Sequence, residues 1–261
     1  MKISIVQTNV HYKNKIENVS NLRYLLSQSN DLGEIILLPE LFSTGYIFDK
    51  PSDIHKLAES AKGGKTVLEL QSIAAEFNVV IVCGIAEKVD NSYFNSSVVV
   101  DKLGVKCIYQ KISQTNIDKQ YFTRGQSIVT FEYSGVKFGL AICFDIWFPE
   151  IVREYTKQNI DVLLHPANFG SDQSLHIARA RAIENSIYVV TCNRIGTESA
   201  MGIDGFYCGK SQVIDPQGNV LFSAGKEVIL QTIDIEISSE IEKSIIGVKL
   251  GDEITTVSNI L

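Results

Sequence analysis

The sequence predicts an α/β layered domain, and three observations carry that prediction. Strand-like apolar runs alternate with amphipathic helical stretches along the chain. The 261 residues are 45% hydrophobic, enough to bury a large core as one domain over residues 1–261. No linker, internal repeat or low-complexity segment breaks the series.

Residues 2–8 read as a strand around Ile3, Ile5 and Val6. Residues 14–29 read as a helix, because Ile16, Val19, Leu22, Leu25 and Leu26 recur at helical spacing. Residues 34–38 form a short apolar strand stopped by Pro39. After the Gly63-Gly64 break, residues 65–77 carry Val67, Leu68, Leu70, Ile73 and Ala74 on one helical face. Strands are expected at 79–87, 93–101 and 105–111, separated by Asn91-Ser92 and Leu103-Gly104. Residues 112–127 lack a period and read as a loop. Strands 128–133 and 136–142 flank the turn Ser134-Gly135. Pro149 suits the first turn of a helix over 148–157, where its missing N–H costs nothing. A strand at 160–164, a helix at 172–186 with Leu175, Ala178 and Ala182 inward, and a strand at 187–193 follow. Residues 195–206 read as a glycine-dotted loop. Strands 207–214, 219–223 and 227–234 flank the turn at 215–218 and Ala224-Gly225. From residue 236 the chain is an amphipathic, then polar, tail.

Composition excludes several classes of function. A net charge of −6 without a basic stripe argues against nucleic acid as a partner. No run of 18 or more apolar residues is present, so no membrane span is expected. The chain starts directly on a strand pattern, without the charged and apolar regions of a secretory signal. Its five cysteines, at 83, 107, 143, 192 and 208, are odd in number and unpaired in spacing. A cytoplasmic, reducing compartment is therefore expected. Cys83 and Cys192 lie in apolar strands and read as core packing. The four histidines, at 11, 55, 165 and 176, have no ligand spacing, so neither a metal nor another cofactor is expected.

Three segments carry chemistry. Cys143 follows the apolar run 136–142 and precedes a helix start at Pro149. A thiol at such a junction faces backbone N–H groups and a helix dipole, which favour the thiolate. Glu40 lies just past the strand 34–38, among Leu41, Phe42 and Tyr46. Apolar neighbours should raise its pKa towards that of a general base. Lys111 ends the strand 105–111, a place where a fixed positive charge can stabilise an oxyanion. Taken singly, each also has an ordinary reading: a core cysteine, a surface glutamate and an edge-strand lysine that discourages aggregation.

Together, Glu, Lys and Cys in that order, each closing a strand, resemble the nitrilase superfamily of carbon–nitrogen hydrolases. The likeness includes Leu38-Pro39-Glu40-Leu41-Phe42-Ser43-Thr44-Gly45-Tyr46, Tyr109-Gln110-Lys111, and Cys143-Phe144-Asp145 with Phe148-Pro149-Glu150. It continues through Arg179-Ala180-Arg181-Ala182-Ile183-Glu184-Asn185 and Gly209-Lys210-Ser211-Gln212, nearly the whole chain. The resemblance implies a four-layer αββα sandwich, two sheets face to face with helices outside.

It also implies a cysteine-dependent hydrolase of non-peptide carbon–nitrogen bonds. Cys143 would attack an amide carbonyl, Glu40 would carry the protons, and Lys111 with the backbone N–H of Phe144 would hold the oxyanion. Many family members carry a second glutamate seven residues after the lysine, where this chain has Asp118. Its side chain is shorter by one C–C bond, about 1.5 Å. The family's usual histidine two residues after the lysine is Ser113. Tyr46 and Asn168 fall where the family lines its pocket. Relatives acting on carbamoyl amino acids or dicarboxylate monoamides often place an arginine where Ile146 or Trp147 stands. Without it the pocket suits a small neutral amide, with Trp147 as a wall. A nitrilase using the same triad is the main alternative, and an omega-amidase or carbamoyl-amide hydrolase a further one. The family further implies an ion-pair shell from Arg181, Glu184 and Glu150. It also implies at least a homodimer, using the tail 236–261 with Ile241, Ile245, Ile246 and Val248.

Overall fold

The computed structural model describes residues 1–237 and 243–260. In chain order the first half holds β1 Lys2–Gln7, α1 Lys15–Ser27, β2 Ile35–Leu37, α2 Pro51–His55, α3 Lys65–Phe77, β3 Val80–Val89, β4 Ser92–Asp101, β5 Gly104–Gln110 and α4 Asp118–Tyr121. Next come β6 Thr130–Tyr133, β7 Val136–Leu140, a 3-10 turn Cys143–Trp147, α5 Pro149–Lys157, β8 Val162–Ala167, α6 Gln173–Asn185 and β9 Tyr188–Asn193. The last part holds β10 Ile195–Ala200, β11 Ile203–Cys208, β12 Gln212–Ile214, β13 Val220–Ser223, β14 Ile229–Asp234, β15 Ser244–Ile245, β16 Val248–Lys249 and α7 Leu250–Ile260.

Among the described residues, two six-stranded mixed sheets form, ordered β14-β1-β2-β3-β4-β5 and β13-β12-β9-β8-β7-β6. Each has three parallel strands at its centre, β1-β2-β3 and β7-β8-β9, flanked by antiparallel ones. The period of two along each strand sorts side chains to opposite faces. Ile3, Ile5, Ile35, Leu37, Val80 and Val82 of one sheet meet Phe138, Leu140, Val162, Leu164 and Val190 of the other in a central core. The opposite face of the first sheet, with Ile36, Leu38, Ile81 and Cys83, packs on α1 and α3 through Val19, Leu22, Leu26, Val67, Leu70 and Ile73. The second sheet turns Leu163, Val189 and Ile214 towards Val152 and Tyr155 of α5 and Ala178 and Ala182 of α6. The layers therefore run α, β, β, α, as the resemblance implied.

Several local expectations need correction. Ile16 and Leu68 are 70% and 56% exposed, so the buried helix faces are narrower than the apolar stripes. The stretch 112–127 contains the short helix α4, and α2 was not visible as a period because each spans little more than one turn. The glycine-dotted segment 195–206 is most of a hairpin, β10–β11. Its turn places Met201 and Gly202 at φ 56° and 69°, the left-handed pair of a tight hairpin turn. The predicted strand 207–214 breaks where Gly209 and Lys210 also take positive φ. The tail is not merely amphipathic and polar. It forms the ribbon β15–β16 and α7, with Ile254 of α7 buried. Ile241 lies outside the described residues.

Candidate active site

The ends of β2, β5 and β7 deliver the three chemical groups. Glu40 follows Pro39 just beyond β2, and the backbone then turns sharply, with Leu41 at φ 45°. Gly84 of β3 permits this turn, because a Cβ there would lie 2.3 Å from the Leu41 nitrogen and 2.6 Å from the Pro39 oxygen. Lys111 leaves β5 with its N–H on the Asn95 carbonyl of β4. Cys143 opens the 3-10 turn after β7, at φ 46°.

These ends converge on a buried cluster. Lys111 Nζ donates to Glu40 Oε1 at 2.8 Å and to Asp118 Oδ2 at 2.9 Å, with all three side chains buried. The shorter aspartate thus spans the distance to the lysine. The N–H and hydroxyl of Thr115 both donate to Asp118 Oδ2 at 2.9 Å. Tyr46 is buried beside them, its hydroxyl 2.5 Å from Thr115 Oγ1 and 3.3 Å from Asp118 Oδ2. Glu40 Oε2, by contrast, is buried and accepts no hydrogen bond.

Electrostatics set the protonation states. Burial raises the Glu40 carboxyl above the usual carboxylate range, against the attraction of Lys111. Burial opposes the charge on Lys111, but Asp118 and Glu40 overcome it and hold the ammonium well above its ordinary pKa. Asp118 is also buried, yet Lys111 and the Thr115 donors keep its pKa low. Cys143 corrects the expectation of a stabilised thiolate. Burial and the neighbouring Glu40 push its thiol well above the ordinary value. The expected helix dipole is also missing. The cysteine sits in a 3-10 turn, and α5 begins only at Pro149, so no α-helical N-terminus faces the sulfur.

The remaining predicted residues take distinct places. The backbone N–H of Asn168 reaches the Cys143 sulfur, and its buried side-chain amide has no partner on either atom. Phe144 follows Cys143 within the turn. Trp147 is partly exposed, its indole N–H donating to Ser174 Oγ at 3.0 Å, its carbonyl accepting from Arg181 and its ring tilted against Phe144. Arg181 donates to the carbonyls of Ile146 and Trp147 at 2.9 and 3.1 Å and to Glu184 at 2.8 Å, bracing the 3-10 turn that Cys143 opens. Glu150 does not join this shell. It is exposed, and Arg153 rather than Glu150 approaches Glu184. Ser113 gives its N–H to Asp145.

Sequence reasoning missed several supports. Asn95 donates to Glu40 Oε1 at 2.7 Å and to Asp118 Oδ1 at 3.3 Å. An asparagine in the inner half of a strand was its only signal. Asp145 is buried and accepts from Tyr109 Oη at 2.7 Å, the Ser113 N–H at 2.7 Å and the Ile142 N–H at 2.9 Å. Its signal was a carboxylate inside an apolar run, two residues past the cysteine. Glu198, paired with buried Arg194, accepts the N–H groups of Tyr46 and Ile47 and fixes the loop after Glu40. Among the described residues, no group of three or more His, Cys, Asp or Glu is placed to hold a metal.

Comparison with known proteins places the chain in a family. A nitrilase from Pyrococcus abyssi is 33% identical over 240 residues, covering 90% of each chain. A 2-oxoglutaramate amidase from Bacillus subtilis is 31% identical over 254 residues, covering 93% of this chain and 94% of its own. The crystal structure of an amidase from Nesterenkonia sp. AN1 superposes with a TM-score of 0.83 at 23% identity, over 100% of both chains. The profile of the carbon–nitrogen hydrolase family matches residues 2–243, all but the start and the tail. By sequence along that length, and by a backbone that stacks two mixed sheets between helices, this chain belongs to the carbon–nitrogen hydrolase family, the nitrilase superfamily.

Proposed function

We propose that this protein hydrolyses a small neutral amide to a carboxylate and ammonia through a thioester on Cys143. The observation that carries the reading is the division of labour at Glu40. One oxygen is tied to Lys111 and Asn95, and the other is buried and unpartnered, free to take a proton. The raised pKa of the Cys143 thiol means the resting sulfur is protonated and needs such a base.

In the proposed sequence, Glu40 accepts the thiol proton as sulfur attacks the carbonyl carbon. Lys111 and the Phe144 N–H stabilise the tetrahedral oxyanion. The adduct collapses, the C–N bond breaks, and Glu40 returns the proton to the leaving nitrogen, releasing ammonia. Glu40 then deprotonates water, which attacks the thioester, and the acid leaves as the thiol regains its proton. Asp118 holds Lys111, and Tyr46 and Asn168 shape the pocket, with Trp147 nearer its rim.

A neutral substrate is supported by the fate of the arginines. Of the four arginines that could reach the pocket, Arg124 donates to the Ile112 carbonyl, Arg181 is committed to the turn at 143–147 and to Glu184, Arg194 is committed to Glu198 and the Val10 carbonyl, and Arg179 is exposed on α6 beside Gly218. A bidentate carboxylate clamp needs a guanidinium aimed into the site, and the two buried candidates, Arg181 and Arg194, are held by other partners. The five unpaired thiols suit a cytoplasmic setting. The nitrile alternative draws support from the Pyrococcus abyssi relative. In that case water adds to R–C≡N through a thioimidate on the same sulfur. Ammonia release from purified protein on a panel of neutral amides, their matched nitriles and 2-oxoglutaramate tests the reading. We expect the neutral amides to turn over fastest. Preference for a nitrile or for the anionic amide would replace it.

A further inference from the structure

We propose that His165 is a positioning residue for the oxyanion site: it grips the Cys143 carbonyl, fixes the Cys143–Phe144 peptide plane, and so aims the Phe144 N–H. This rests on the amide-or-nitrile chemistry proposed above. His165 lies on β8 at the centre of the second sheet and is fully buried. Its Nε2 is 3.0 Å from the Cys143 carbonyl oxygen, and its Nδ1 is 3.0 Å from Thr191 Oγ1, its direct cross-strand neighbour on β9.

The partners determine the tautomer. A carbonyl oxygen only accepts, so Nε2 carries the proton, and Nδ1 accepts from the Thr191 hydroxyl. Burial, with the Lys111 charge adding to it, lowers the imidazole pKa to about 4 despite the hydrogen bond to Cys143, so this neutral form persists at neutral pH. A trans peptide is planar, and its C=O and N–H point in opposite directions. Holding the Cys143 carbonyl towards His165 therefore turns the Phe144 N–H to the other side. The grip also acts where the backbone is least able to hold itself. Cys143 has φ 46°, a left-handed conformation that a side-chain-bearing residue keeps only when its surroundings enforce it. Thr191, the histidine and the carbonyl form one short chain that does so.

His165→Gln and His165→Asn separate this role from packing. The glutamine amide nitrogen reaches the place of Nε2, whereas the asparagine amide stops near that of Nδ1. We expect His165→Gln to keep kcat within about threefold and His165→Asn to lower it about tenfold or more, with KM little changed. Alkylation of Cys143 by iodoacetamide, which builds no oxyanion, should proceed at a similar rate in both. Hemithioacetal formation with a small aliphatic aldehyde, read as protection from that alkylation, should weaken in the asparagine variant as kcat does. This last readout needs no substrate, so a wild-type protein inactive on every amide and nitrile would reject the functional reading and leave the His165 test standing. Equal aldehyde protection in the two variants, or alkylation slowed as much as turnover, would overturn the proposal. If the asparagine variant does not fold, Thr191→Val removes the anchor at Nδ1, and unchanged aldehyde protection there overturns it equally.

Discussion

Asp118 and Glu40 hold one ammonium between them: Lys111 Nζ lies 2.9 Å from Asp118 Oδ2 and 2.8 Å from Glu40 Oε1. The two carboxylates are nonetheless unlike. Asp118 spends its oxygens on Lys111, Thr115 and Asn95, while Glu40 keeps Oε2 unpaired. Their removal should therefore have unequal consequences. Glu40→Gln removes the proposed proton carrier of both half-reactions, and kcat should fall by about 10³-fold or more. Asp118→Asn leaves the carrier and loosens Lys111, which should cost about 10- to 100-fold through misplacement. Steady-state kinetics of the two variants decide the matter, and equal losses would show the ranking to be wrong.

Cys143→Ala and Cys143→Ser should abolish turnover while circular dichroism and the unfolding midpoint stay close to wild type. Each changes a single atom position at the start of a turn, a small loss of packing. The other four thiols offer no substitute. Cys83 and Cys192 are enclosed in the core, where burial drives their pKa values far upward, and Cys107 is pushed to about 12. Cys208 ends β11 rather than meeting Glu40. Residual activity above about 1% would remove Cys143 from the role of nucleophile.

How much of this was legible in the chain depends on the range of the interaction. The long apolar periods of α1, α3 and the central strands are local, and their positions were readable. The three reactive groups each close a strand, so they too could be placed. The hairpin β10–β11 was not, because Met201 supplies the left-handed turn position usually taken by asparagine or glycine. Asn95 was missed for another reason. Its importance comes from Glu40 and Asp118, 55 and 23 residues away in sequence, and no local pattern records them. The thiol pKa was misjudged because burial, a tertiary property, raises it, and the α-helix expected to face the sulfur begins only at Pro149.

Tyr109→Phe should destabilise the fold. The lost hydroxyl donates to the buried Asp145 carboxylate, which then faces two backbone N–H groups with one donor fewer. A hydrogen bond to a charged group contributes about 1.5–3 kcal/mol. In a chain of this size that corresponds to a fall of roughly 3–6 °C in the unfolding midpoint. Since Asp145 also anchors the Ile142 N–H next to Cys143, iodoacetamide alkylation of Cys143 should change in rate as well. An unaltered midpoint in differential scanning calorimetry would mean that the Asp145 site relaxes around the loss.

The tail makes a prediction about assembly. α7 folds back on α5 of its own subunit and buries Ile254, but the β15–β16 ribbon leaves Ile245 and Val248 half exposed and Ile246 98% exposed. Ile246 has φ 53°, an unfavourable conformation for a β-branched side chain. An isoleucine held there in the open suits a contact with a second copy. Light scattering should give about twice the 28.9 kDa chain mass, and Ile246→Asp should shift it towards the monomer. A wild-type mass of one chain at full specific activity rules out the dimer as the working form.

The pH profile tests the electrostatics of the cluster. Glu40 must be a carboxylate to accept the thiol proton, so kcat/KM should fall on the acid side as Glu40 protonates. Burial raises its pKa, which places that limb above the usual carboxylate range. Asp118 has its pKa lowered and is therefore an anion throughout the limb. Its charge disfavours a second anion at Glu40. Removing it in Asp118→Asn lets Glu40 ionise more readily, and it also leaves Lys111 to pair with Glu40 alone. Both effects lower the Glu40 pKa, so the acid limb of the variant should move to lower pH even though its maximum rate falls. The groups titrate together, and the limb reports a value belonging to the cluster. A limb that stays in place, or moves upward, would show that proton transfer at Glu40 does not set the acid side of the profile.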